Sequence, residues 1–174
     1  MVKSGELWDA VERRTYRRTI GNWRGVEQMF LGNYEHTIDE KGRITIPAKY
    51  REELGDVAVV TKGYDGNLQV IPQEVFDLMV ERVRSLNVLD PSTRRLRRIL
   101  FANAERIEFD KAGRILLPAF LRDTANLKDA AVLVGNLDVV EIWSPENWLT
   151  QQTSLSDIEA NEQRLSTLDL TTLP

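Results

Sequence analysis

Two short stretches of the chain carry residue types suited to recognising an anion. Residues 39–52 read DEKGRITIPAKYRE and residues 110–123 read DKAGRILLPAFLRD. Each opens on an aspartate, Asp39 or Asp110, and sets an arginine, Arg43 or Arg114, four residues later and directly after a glycine. A guanidinium so placed can clamp a phosphate, or the O6 and N7 of a guanine, through two parallel N–H donors. The same groups can instead close on themselves as turn ion pairs, worth about 0–1 kcal/mol when exposed. Spacing alone leaves both open. Lys41 adds a point charge to the first copy where the second has Ala112. Enzyme chemistry has little support: there is no glycine-rich phosphate loop, no cysteine and a single histidine, His36, so no catalytic pairing or metal cluster can be assembled from spacing. The chain therefore reads as a non-enzyme that needs no cofactor and no metal.

The elements that carry these residues repeat. Seven of the fourteen aligned positions are identical without a gap, and after a two-residue slip VAVVT at 57–61 corresponds to AAVLV at 130–134, with Pro72 answering Pro145. A whole module is thus present twice. In each, a short strand (34–38, 104–109) runs into a turn in which aspartate bonds its following backbone and glycine supplies positive φ. A hairpin partner (43–46, 114–117) is expected next. Pro47 and Pro118 stop it and suit the first turn of a short helix carrying Arg51 or Arg122. Arg51 and Arg122 read as ion-pair or interface residues ahead of DNA contacts. Two more apolar strands close each module, 57–61 with 68–71 across an Asp65-Gly66 turn, and 131–134 with 139–143. Trp143 and Trp148 read as core or subunit-contact aromatics.

Helices over about 73–85 and 92–102 join the modules, split by Asp90-Pro91-Ser92. The second should dock Leu96, Ile99, Leu100 and Phe101 on the modules, leaving Arg94, Arg95, Arg97 and Arg98 as a solvated face or as charge on an assembly surface. The fold class is α+β: two tandem β-rich ββαββ modules related by a pseudo-twofold, sharing a core that neither completes alone.

Composition excludes several classes. No apolar run nears the roughly 20 residues of a membrane span, and the absence of cysteine agrees with a reducing compartment, so a cytoplasmic location is expected. A net charge of −4 over 174 residues runs against nucleic-acid binding. Much of it sits in residues 151–174, where Asp157, Glu159, Glu162 and Asp169 face Arg164 alone.

Residues 29–54, MFLGNYEHTIDEKGRITIPAKYREEL, resemble the opening of MraZ proteins, and Asp110, Gly113, Arg114, Gly135, Glu141, Ile142 and Trp143 resemble their closing pattern. The resemblance covers about residues 29–150. It implies an AbrB-like swapped-hairpin fold with the twofold pairing made inside one chain. It also implies assembly into homo-oligomeric rings and repression of the division and cell-wall gene cluster through short direct repeats in promoter DNA, hence a nucleoid-associated protein. Carried over, the DNA-facing residues are Arg43, Lys41 and Arg114, with Asp39 and Asp110 orienting the arginines. With Ala112 in place of a lysine, the second module is expected to add less phosphate affinity than the first. A ring-shaped protein-interaction scaffold without direct DNA contact is the competing reading.

These expectations divide the chain into residues 29–86 (first module and its helix), 87–103 (linking helix), 104–150 (second module) and 151–174 (acidic, partly helical tail, with Leu155, Ile158 and Leu165 free to pack on a neighbour). Residues 1–28 read as a disordered extension or as translated upstream DNA ahead of a start at Met29. Trp8-Asp9 must be encoded TGGGA followed by C or T, which is like the family's repeat element; a basic DNA-touching arm is the alternative.

Overall fold

The computed structural model describes residues 29–167; the expectations for 1–28 and for 168–174 lie outside them. The first module comprises β1 (Asn33–Thr37), β2 (Arg43–Thr45), α1 (Ala48–Leu54), β3 (Val57–Lys62) and β4 (Leu68–Pro72). Helices α2 (Gln73–Arg84) and α3 (Pro91–Phe101) lead to the second module, β5 (Glu105–Glu108), β6 (Arg114–Leu116), α4 (Ala119–Thr124), β7 (Ala130–Asn136) and β8 (Val139–Trp143). Two more helices follow, α5 (Pro145–Leu155) and α6 (Ile158–Thr167). Pro47 and Pro118, each with φ near −50° and no N–H to offer a ladder, end β2 and β6 and stand at the N-caps of α1 and α4. Asp90 caps α3, its carboxylate accepting from the Ser92 amide at 2.9 Å.

Strand pairing corrects the expected local hairpins. The turns after β1 and β5 do form, but β1–β2 pairing goes no further than one bridge, Ile38 with Ile44. Beyond it β2 pairs antiparallel with β6, while β1 pairs with β7 and β5 with β3. The reason is burial. Ile44 and Ile46 alternate into a core completed by the other module, and a three-residue strand stopped by proline cannot satisfy both a local partner and that core. The expected β3–β4 and β7–β8 hairpins are present.

The result is a six-stranded sheet in the order β1-β7-β8-β4-β3-β5 beside the two-stranded β2-β6 pair. Exchanging the two modules reverses that order onto itself, which is the mark of a pseudo-twofold. Register agrees: Ile44 faces its own repeat equivalent, Ile115, and Thr37↔Ala130 is matched by Glu108↔Val57. The axis therefore passes through the Ile44–Ile115 pair and between β4 and β8. One core results, with Ile44, Ile46, Val60 and Leu68 from the first module meeting Ile115, Leu117, Leu133 and Ile142 from the second. Each such side chain contributes about 1.5–3 kcal/mol by leaving water.

Helix α3 departs from expectation. Phe101 meets Phe76 of α2 edge-on at 5.7 Å, and Arg97 caps α2 by donating to the Val83 carbonyl at 3.2 Å. Thr93 is the only residue of α3 that is fully buried, whereas Leu96 and Ile99 remain 37% and 52% exposed. The helix packs on α2 and β3 through its end, and the middle of its apolar stripe stays uncovered.

Candidate nucleic-acid interface

Each turn is built by its aspartate. Oδ1 of Asp39 accepts from the backbone amides of Lys41 and Arg43, both at 2.9 Å, while Oδ2 accepts from Arg43 Nε and Nη2, both at 2.7 Å. Asp110 does the same with the amides of Ala112 and Arg114 at 2.9 and 3.0 Å, and with Arg114 Nε and Nη2 at 2.8 and 2.7 Å. Gly42 and Gly113, with φ of +78° and +72°, turn the chain so that their amides donate to the carbonyls of Asp39 and Asp110. The ion-pair reading of these residues is thus realised. It does not exhaust them, because the aspartate occupies only the Nε–Nη2 side of each guanidinium. On Arg43 the Nη1–Nη2 edge, suited to bidentate contact with phosphate or guanine, has no further carboxylate within 4.0 Å among the described residues, whereas on Arg114 that edge turns towards the other tip.

The two tips are one structure. The Leu117 amide donates to the Gly42 carbonyl at 2.9 Å and the Ile46 amide to the Gly113 carbonyl at 3.0 Å, so each turn is held by the other module. Arg114 Nη1 lies 4.0 Å from Asp39 Oδ2 across the join. Arg43 and Arg114 are about equally exposed, at 32% and 33% of their side chains. Beneath the turns sit two further arginines. A Cβ added to Gly42 would come within 2.9 Å of the Arg122 guanidinium carbon, and one added to Gly113 would overlap the Arg51 guanidinium. Arg122 Nε donates to the Leu117 carbonyl at 3.2 Å, whereas Arg51 Nε is buried without a hydrogen-bond partner among the described residues. Arg51 and Arg122 are therefore interface residues between modules, as the sequence reading preferred.

Electrostatics fixes the aspartates as anions. Backbone donation from Arg43, reinforced by its guanidinium, holds the Asp39 carboxyl below its ordinary value. The Arg114 side chain, then its backbone amide, lower Asp110 to about 2, and the same hydrogen bond raises Arg114. The positions compared in the repeat alignment hide one cation. Lys41 answers Ala112, but Glu40 answers Lys111, and both lysines are exposed. Residues 39–43 carry two acids against two bases and residues 110–114 one acid against two. This charge count reverses the basis for expecting less phosphate affinity from the second module. Summing charge over each turn, in place of matching positions, would have found Lys111.

His36, on β1 opposite Ala131, has its basicity lowered by burial. Trp143 is a core residue whose indole donates to Glu141 at 2.9 Å and packs against Trp148 at 5.7 Å. Among the described residues no group of three or more His, Cys, Asp or Glu could hold a metal ion, and no helix is long and apolar enough to cross a membrane.

Comparison with known proteins matches the duplication. The sequence model of the family described as MraZ protein matches twice, at residues 29–99 and 100–169. Relatives named Transcriptional regulator MraZ include one from Thermomicrobium roseum, 46% identical over 141 residues, covering 80% of this chain and 99% of the relative. One from Herpetosiphon aurantiacus is 46% identical, covering 74% and 90%, and one from Clostridium acetobutylicum is 37% identical, covering 82% and 100%. The chain, two tandem modules with paired Asp-x-x-x-Arg turns, belongs to the MraZ family of transcriptional regulators.

Proposed function

We propose that this protein is a sequence-specific DNA-binding repressor whose joined turns present Arg43 and Arg114 to one stretch of duplex. One observation carries the reading: backbone hydrogen bonds between the modules hold the two turns together, and Arg43 and Arg114 each keep about a third of their side chain exposed, with Arg114 Nη1 4.0 Å from the other tip's aspartate. In this assignment Arg43 and Arg114 read guanine or clamp phosphate, Lys41 and Lys111 hold the backbone, and Asp39 and Asp110 orient the arginines. The targets are short direct repeats in the promoter of the division and cell-wall gene cluster, in a cytoplasmic, nucleoid-associated protein. Two arginines bind weakly alone. A homo-oligomeric ring that aligns several tip pairs with spaced repeats raises effective concentration, so that a chain of net charge −4 still binds selectively.

The test is fluorescence anisotropy on the chain's own upstream promoter across a salt series. Binding that falls steeply with salt and disappears when the repeats are scrambled supports the proposal. A salt-insensitive or sequence-blind complex, or a stable ring that ignores DNA, supports the scaffold reading instead.

A further inference from the structure

Two exposed surfaces of this chain complement each other. On α3, Leu96 and Ile99 flank a groove of about 290 Å³ that is also lined by Pro91, Ser92 and Arg95. Arg98, one turn beyond Arg95, is exposed as well, so the groove is apolar at its floor and cationic at its rim. Helix α6 has the opposite charge. It buries no residue, and it presents Ile158 at 76% and Leu165 at 44% exposure. Exposed Glu162 lies between them, at a spacing of four and then three residues, so all three share one helical face.

Ile158 and Leu165 thus form a short apolar stripe that no element among the described residues buries. We propose that α6 of one copy lies in the α3 groove of the next, with Ile158 and Leu165 on Leu96 and Ile99 and with Glu162 facing Arg95 and Arg98. The occupant is a second copy because groove and helix, which belong to the same chain, match in both apolar character and charge. The two surfaces differ, so the contact is head-to-tail and closes into a ring when its rotation permits. It names the contact behind the oligomer invoked above and rests on that reading.

The experiment uses the full chain and reads mass by sedimentation velocity over a dilution series. Glu162→Arg and Arg98→Glu should each raise the dissociation constant of assembly by about tenfold, because each sets like charges together at the rim. Mixing the two variant chains in equal amounts should restore assembly, since every contact in an alternating ring then regains opposite charges. Docking of α6 on its own chain's α3 would show no such restoration and would overturn the proposal. Wild-type assembly that both variants leave untouched overturns this contact while the multivalent reading stands. A wild-type chain that stays monomeric overturns both.

Discussion

Removing the Arg43 guanidinium should do more than delete one contact. Arg43→Ala takes away the open Nη1–Nη2 edge, which is worth about 1–3 kcal/mol as a bidentate contact, or about 5- to 150-fold in affinity. It also strips Asp39 Oδ2 of both its side-chain donors, leaving Arg114 Nη1 at 4.0 Å as the nearest cation to a carboxylate beside phosphates. Asp39→Asn keeps the Oδ1 acceptor for the Lys41 and Arg43 amides but removes the charge and puts an NH2 donor where Oδ2 accepts from the Arg43 guanidinium. The loss in Arg43→Ala should therefore be partly recovered in Arg43→Ala with Asp39→Asn. Asp39→Asn alone should cost less than Arg43→Ala, since it loosens the arginine without removing it. Anisotropy titrations in a salt series measure this, and the slope of log affinity against log salt should fall by about one per lost phosphate contact. An unchanged slope, or a double variant no better than Arg43→Ala, would refute the reasoning.

Three further outcomes follow from the same geometry. Ile44→Ala or Ile115→Ala, each fully buried on the pseudo-twofold axis, should cost about 2–5 kcal/mol in urea unfolding, well above any change at exposed Thr45. Gly113→Ala and Gly55→Ala share the backbone strain of a φ near +72°, but only Gly113→Ala also forces a Cβ into the Arg51 guanidinium, so DNA binding should weaken more at Gly113 than at Gly55, which has nothing within 4 Å. Asp110, depressed to about 2 from 3.8, stabilises the folded tip fully above pH 4 and loses that contribution as pH falls from there through about 2; Asp39 follows in the same direction, and Asp110→Asn should flatten acid unfolding in that window.

Much of this was readable in the residues. The duplication, the Asp-to-Gly turns, the proline stops and the β3–β4 and β7–β8 hairpins follow from local chemistry, because each depends on neighbours within a few positions. The swap does not. A four-residue turn between short strands looks the same whether the second strand returns to the first or crosses to another module, and only the burial of Ile44 against Ile115 decides it. The place of Arg51 and Arg122 beneath the opposite tip glycines likewise depends on a pairing between segments about 70 residues apart. Helix α3 is the converse case: its apolar stripe is real, but periodicity says that a face will be covered and not by what, and Leu96 and Ile99 stay exposed on the single chain. Asn126 adopts positive φ just past α4, where asparagine is a common helix stop, but Leu137 does so at φ +53° with a side chain that no turn rule places there.

The chain lacks cysteine, so single cysteines can carry a photo-crosslinker without interference. Lys41→Cys and Ala112→Cys place it on the two tips, while Asp138→Cys places it past the far end of β7, whose other end, Ala130, pairs with Thr37 near the first tip. If the tips face the duplex, promoter DNA crosslinks to positions 41 and 112 and not to 138. Crosslinking at 138 with none at 41 or 112 would contradict the account.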